Sequence, residues 1–176
     1  MFKKILIATD GSDHSKKAIE LGSALAAKDG AEVVLVHVLL TGEVDADVQR
    51  LIDVEYPVSK PMPKPTDDAR NDILAIEPQG FDIAKHKAAS YRIFQILGDQ
   101  IVQQAVRTLK TKGVNDIQSL VLEGNPAEQI LKAIADEEPD LVICGARGLS
   151  SFAALLFGSV SNKIAHMCPV TCITVR

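Results

Sequence analysis

Leu141-Val142-Ile143-Cys144-Gly145-Ala146-Arg147-Gly148 is followed, after nine further residues, by Gly158-Ser159-Val160-Ser161. The apolar run at 141–144 reads as a fully buried strand, and it passes straight into the glycines. Gly158 opens a helical pattern (Val160, Ile164, Ala165), which Cys168-Pro169 closes before a last β-branched run at 170–175, from Val170 to Val175. Glycines let a backbone approach an anion closely, and the amides of a first helical turn point outward without partners. The hydroxyls of Ser159 and Ser161 add further donors, so the stretch reads as a phosphate cradle. A purely structural reading stays open: Gly145 and Gly148 form a tight turn, Gly158 starts a helix, and Ser159 or Ser161 is its N-cap.

Working outward, residues 5–9 (Ile5-Leu6-Ile7-Ala8-Thr9) form an apolar run ended by Asp10. Gly11, Ser12 and Asp13 then turn the chain into a helix with Ala18, Leu21, Gly22 and Leu25 at three- and four-residue steps, ending near Asp29-Gly30. The run at 31–39, apolar on both faces apart from Glu32 and His37, is a second strand of the central parallel type. Residues 41–80 break the pattern and hold five of the eight prolines, so they read as a long insertion with one short helix at 44–54. Such an insertion is either a surface loop or a lid near the site. A long helix is expected from Phe81, with Tyr91, Phe94, Leu97, Ile101, Ala105 and Leu109 on one face; it ends at Lys112-Gly113 and is bent or broken at Gly98. A short strand at 117–122 follows. Asn125-Pro126-Ala127-Glu128 then supplies an N-cap, a first-position proline and an early acid for a helix that Pro139 ends. The order is β-α-β, an excursion, then α-β-α-β-α-β, which predicts an open parallel sheet with helices on both faces in a single domain over 1–176. Ligands of such sheets bind at the carboxyl ends of strands where the connections diverge, here after Thr9-Asp10 and after Gly145.

With 47% hydrophobic and 24% charged residues, the composition is that of an ordinary globular domain. A formal net charge of −4 gives no basic footprint for nucleic acid or an anionic membrane surface. No stretch reaches the length of a membrane span, and Asp10 ends the first apolar run too soon for a secretory leader, so the expected location is cytoplasmic. The three cysteines fit neither a disulfide framework nor zinc spacing and read as small apolar core residues. His37 and His166 belong to no cluster with metal spacing, so no protein-held metal is expected.

The spaced glycine and serine constellation resembles the nucleotide-binding signature of the universal stress protein family, in its ATP-binding branch. The resemblance covers nearly the whole chain and is weakest at 40–88. It implies a Rossmann-like sheet, similar to that of the adenine nucleotide alpha hydrolases, with strand order 3-2-1-4-5. It implies that Gly145 lies near the ribose and that Gly148, Gly158, Ser159, Val160 and Ser161 hold the phosphates. Thr9 and Asp10 would meet the nucleoside, and the backbone of Val38 would read the adenine. As structure alone, Asp10 could instead cap the turn that follows it. Arg147 sits where a guanidinium meets phosphate, with a plain surface arginine as the other reading. The implied cofactor is ATP, or AMP or ADP in its place, with magnesium carried on the phosphates. The implied assembly is a homodimer formed by antiparallel pairing of the edge strand at 170–175.

The function implied is a nucleotide-responsive stress-response module acting on an unknown protein partner. A slow ATP hydrolase or adenylating enzyme is the first alternative, and a nucleotide-free dimeric scaffold the second. The chain has no P-loop lysine motif and no Gly-x-Gly-x-x-Gly after its first strand. Thr9-Asp10-Gly11-Ser12 matches the serine- and glycine-rich loop of the adenylating enzymes poorly, and no nucleophile and base stand together locally.

Overall fold

The structure, a computed structural model, describes residues 1–39, 83–149 and 158–176. The elements run β1 (Lys4–Ala8), α1 (Asp13–Asp29), β2 (Glu32–Leu39), α2 (Ile83–Thr111), β3 (Ile117–Glu123), α3 (Pro126–Glu137), β4 (Leu141–Gly145), α4 (Ser159–Met167) and β5 (Thr171–Val175). Among the described residues the strands form one sheet in the order β3-β2-β1-β4-β5, parallel at every pairing. The expected insertion at 41–80, with its short helix, and the middle of the glycine-rich stretch at 150–157 lie outside the described residues.

Alternation along the three central strands explains the two layers of helices. Ile5, Ile7, Val33, Leu35, Leu141 and Ile143 face one side and pack with Ala18, Ile19 and Ala26 of α1 and Val102, Ala105 and Leu109 of α2. Leu6, Ala8, Val34, Val36, Val142 and Cys144 face the other side, against Ile130, Ala133 and Ile134 of α3 and Ile164 of α4. Both faces of β1, β2 and β4 are thereby buried, which is why these strands are apolar apart from Lys4, Glu32 and His37. Each fully buried Val, Leu or Ile contributes about 1.5–3 kcal/mol. The edges differ in kind: β3 alternates and leaves Val121 exposed, whereas β5 is partly exposed along most of its length.

Local chemistry sets the boundaries. Ser12 caps α1 by accepting the amide of Ser15 at 3.3 Å, and Gly30 closes it in the left-handed region at φ 66°. Asn125 caps α3 through the amide of Glu128 at 3.3 Å, and Pro126 occupies the first turn as its sequence predicts. Glu138 ends α3 in the left-handed region at φ 49°, and the following Pro139 disfavours any continuation of the helix. Gly98 does not break α2, which runs unbroken from Ile83 to Thr111. A Cβ at that position would lie 2.6 Å from Cδ2 of Leu39 and 3.1 Å from the His37 ring, so the glycine serves the close crossing of α2 over the end of β2. No helix among the described residues is long and apolar enough to cross a membrane.

Candidate functional site at the carboxyl ends of β1 and β4

β1 and β4 are neighbours whose connections leave to opposite faces, α1 on one side and α4 on the other. The crevice between their ends is therefore a switch point, where open parallel sheets bind ligands. The loop after β1 is held from within. The amide of Gly11 donates to Thr9 Oγ1 at 3.3 Å, that hydroxyl donates to Ser15 Oγ at 3.2 Å, and Asp10 Oδ1 accepts the amide of Ser12 at 3.0 Å. The last of these is the Asx turn that the sequence offered as one reading of Asp10.

Two bonds then tie this loop to the one after β4. Asp10 Oδ2 accepts the amide of Leu149 at 3.1 Å, and Ser12 Oγ donates to the carbonyl of Arg147 at 3.2 Å. Asp10 thus caps its own turn and braces the neighbouring loop with its two oxygens. A carboxylate accepting backbone amides fixes both strands of a crevice without closing it.

The glycines divide into distinct duties. A Cβ on Gly145 would lie 2.8 Å from the amide nitrogen of Ser15 and 2.9 Å from the carbonyl carbon of His14, so this glycine lets β4 touch the first turn of α1. A Cβ on Gly148 would run into Asp10 Oδ2. Gly158 is different: a Cβ there would meet the carbonyl of Ala146 at 3.5 Å and Cα of Arg147 at 3.6 Å, which is ordinary contact.

α4 begins at this point. Gly158, not Ser159 or Ser161, is its N-cap, and no side chain caps the turn, in contrast to α1 and α3. The amide of Gly158 donates to Ala146 at 2.8 Å, and the buried Ser161 hydroxyl lies 2.7 Å from the same carbonyl and 3.0 Å from that of Gly158. Ser161 therefore faces inward, as a clamp on the residue that ends β4, while Ser159 is exposed and Val160 half-buried. Arg147 is half-buried. Val38 lies in β2 beside Leu122 of β3 and is partly buried on the α3 and α4 side.

Thr9, Asp10, Gly145, Arg147, Gly148, Gly158 and Ser161 thus come together, and Ser159 and Val160 stand in the adjoining helical turn. Val38 stands one strand away, across β1. The sequence did not single out His14, whose Nδ1 is buried without a hydrogen-bond partner among the described residues. Nor did it assign His37 its place: Nδ1 lies 2.8 Å from the carbonyl of Thr9 and so steadies the end of β1. Only distance in space, not spacing in sequence, identifies these two. A cavity of about 170 Å³ beside Thr9 and Gly11, walled by Ile19, Ile101 and Ala105, is smaller than the roughly 300–1,000 Å³ of ligand sites.

The fold and crevice define a doubly wound parallel-sheet protein with two bridged loops at its switch point. The sequence model of the universal stress protein family matches residues 1–176, and the chain belongs to that family. It is 30% identical over 176 residues to the universal stress protein in the QAH/OAS sulfhydrylase 3′ region of Thermus aquaticus, covering 100% of both chains. Among solved structures, a universal stress protein in complex with cAMP aligns with a TM-score of 0.60 at 18% identity, over 99% of this chain and 97% of that one. The universal stress protein of Archaeoglobus fulgidus in complex with dAMP aligns with a TM-score of 0.57 at 16% identity, over 99% and 98%. These structural likenesses establish the fold.

Proposed function

We propose that the chain binds ATP in the crevice between the ends of β1 and β4 and acts as a nucleotide-responsive stress-response module in the cytoplasm. The observation that carries this reading is the start of α4, where an uncapped helix opens on Gly158 beside the loop that Asp10 braces. Uncapped first-turn amides with no Cβ before them fit a phosphate chain. In this reading Ser159 and Val160 hold phosphates by their amides, joined by the Ser159 hydroxyl and the Arg147 guanidinium, while Gly158, whose own amide is bonded to Ala146, keeps a side chain out of their approach. Gly145, Gly148 and Ser161 act by setting the loop rather than by touching the ligand, while Thr9, Asp10 and the backbone of Val38 line the nucleoside end. AMP or ADP would fill the same place, and magnesium would ride on the phosphates. Support comes also from the family relatives solved with cAMP and dAMP.

β5 is an edge strand in this sheet, and we place the homodimer contact there. A second copy pairing antiparallel along Thr171–Val175 covers an edge that is otherwise open to other chains. Light scattering on a variant with Ile173→Lys separates this arrangement from a monomer.

Calorimetric titration with ATP and magnesium tests the site, run beside Gly158→Val. The substitution puts two methyl groups where the phosphates would approach. Micromolar binding in the wild type and none in the folded variant supports the reading. A folded wild type that takes up no adenine nucleotide would leave the scaffold alternative.

A further inference from the structure

β2 is apolar except for Glu32 at its start and His37 near its end, and His37 is only 7% exposed. A buried imidazole in a central strand must find partners for its ring nitrogens. His37 Nδ1 lies 2.8 Å from the carbonyl oxygen of Thr9. A carbonyl only accepts, so Nδ1 carries the hydrogen and donates it. The far side of the ring lies against α2 at Gly98, where a Cβ would come within 3.1 Å of Cδ2 and Nε2. The absent side chain there gives the ring its room.

The phase of the sheet shows what this bond displaces. Alternate residues of a parallel strand turn amide and carbonyl together toward the same neighbour. Val36 turns toward β1, and its carbonyl accepts the amide of Thr9 at 2.9 Å. Val33 and Leu39 turn toward the β3 side: the Val33 amide donates to Asp116 at 2.9 Å, and the Leu39 carbonyl accepts from Gly124 at 3.3 Å. Val38, two residues beyond Val36, therefore turns both groups toward β1. A continued ladder would put the Val38 amide on the Thr9 carbonyl and the Gly11 amide on the Val38 carbonyl. Instead the pairing of β1 with β2 stops at Ala8 and Val36, His37 holds the Thr9 carbonyl, and the Gly11 amide donates to Thr9 Oγ1 at 3.3 Å. Among the described residues, no hydrogen bond joins the amide or carbonyl of Val38 to the β1 side.

We infer that His37 is a positioning residue of the nucleotide site: by holding the Thr9 carbonyl it stops the ladder between β1 and β2 short, and it leaves the Val38 amide and carbonyl as a donor and acceptor pair for the edge of an adenine ring. This role rests on the reading of the crevice as an adenine nucleotide site.

The chemistry of the pair makes His37 a determinant of base choice. The adenine edge presents an amino group that donates beside a ring nitrogen that accepts, which matches one carbonyl and one amide on a single residue. Hypoxanthine reverses both, with an oxo group toward the carbonyl and an N–H toward the amide. A backbone pair that has left its ladder therefore favours adenine, because the wrong base leaves both groups unpaired. Without the imidazole, the Thr9 carbonyl is free to turn back and accept the Val38 amide. The ladder then lengthens at the expense of the base.

Two sets of measurements separate the ladder from the nucleotide. Amide hydrogen exchange followed by NMR on the nucleotide-free chain reads the ladder alone. The Val38 amide should exchange roughly a hundredfold faster than that of Val36 in the wild type, and His37→Leu should bring the two rates together. Ring nitrogen shifts of wild-type His37 should show the neutral ring protonated at Nδ1. A Val38 amide as protected as that of Val36, or a ring protonated at Nε2, would overturn the inference, and neither result depends on a variant that folds.

Calorimetry with ATP and with inosine triphosphate reads the site. The wild type should prefer ATP by roughly a hundredfold, and His37→Leu should weaken ATP about tenfold or more while leaving inosine triphosphate nearly unchanged. His37→Asn, whose side-chain amide offers a donor close to the place of Nδ1, should restore ATP binding to within about threefold of the wild type. Equal weakening of both nucleotides in His37→Leu would mean a structural role only and would overturn the inference. A folded wild type that binds neither nucleotide but shows fast Val38 exchange would overturn the nucleotide reading, and with it this role of His37, while the open ladder would stand.

Discussion

Asp10 and Gly148 occupy each other's space: Oδ2 of Asp10 sits where a side chain on residue 148 would begin, and the same oxygen accepts the amide of Leu149 at 3.1 Å. The absent side chain on one loop thus makes room for the brace from the other. Because Asp10 Oδ1 is also held by Ser12, the carboxylate has little freedom to move aside.

Gly148→Ala should therefore unseat the brace while leaving the sheet intact. Thermal stability should fall modestly, by about 1–2 kcal/mol, as for a strained contact at a loop. ATP affinity should fall tenfold or more. Calorimetry of the variant checks the second figure, and unchanged binding would separate the brace from the site.

Gly145→Ala should be worse for folding than Gly158→Ala, although both glycines belong to the same spaced set. The new methyl at 145 meets backbone atoms of His14 and Ser15, which cannot swing away, whereas at 158 it meets ordinary contacts. We expect a loss of about 2–3 kcal/mol at 145 and less than about 1 kcal/mol at 158. Urea unfolding of the two variants side by side decides this; equal losses would contradict the division of duties.

Ser161→Ala removes a buried hydroxyl that clamps the carbonyl of Ala146. That carbonyl keeps the bond from the Gly158 amide, so the cost should be about 1 kcal/mol rather than the larger penalty of an orphaned acceptor. If Ser161 instead reached the ligand, affinity would drop far more than stability. Paired unfolding and titration data distinguish the two.

Asp140 gives a prediction in pH. Its carboxylate accepts the amides of Lys3 at 2.6 Å and Lys4 at 3.0 Å, and these bonds hold its pKa below the ordinary carboxylate value. A lowered folded-state pKa contributes stability that is fully present above the unfolded value, near 3.9, and is lost as pH falls through the folded one. Asp140→Asn should accordingly be less stable than the wild type at neutral pH, and the gap should close on acidification below about pH 4. Unfolding midpoints measured from pH 7 to pH 3 test the sign. A gap that widened in acid would reverse it.

Much of the fold was legible because it is written locally. Apolar runs such as 5–9 and 141–144, bounded by charge and glycine, read as strands buried on both faces, and Asn125-Pro126 before an apolar repeat marks a helix start. The spaced glycines likewise lie at the end of β4 and the start of α4, beside the Asp10 loop. Errors arose where a residue's reason lies across the sheet. Gly98 read as a bend or break because glycine weakens an isolated helix, yet the middle of α2 needs it to pass over the end of β2. Ser159 and Ser161 read alike from sequence, but one is exposed and the other is a buried clamp.

The sequence by itself determined the element order, the parallel sheet and the location of the crevice, because periodicity and caps depend on neighbours a few positions away. The tertiary structure decided what each site residue touches: Asp10 with Leu149, and Gly145 with the start of α1. Both contacts join positions more than a hundred residues apart. Pairing of that kind follows from strand order and register, which the chain settles only when all its layers pack at once.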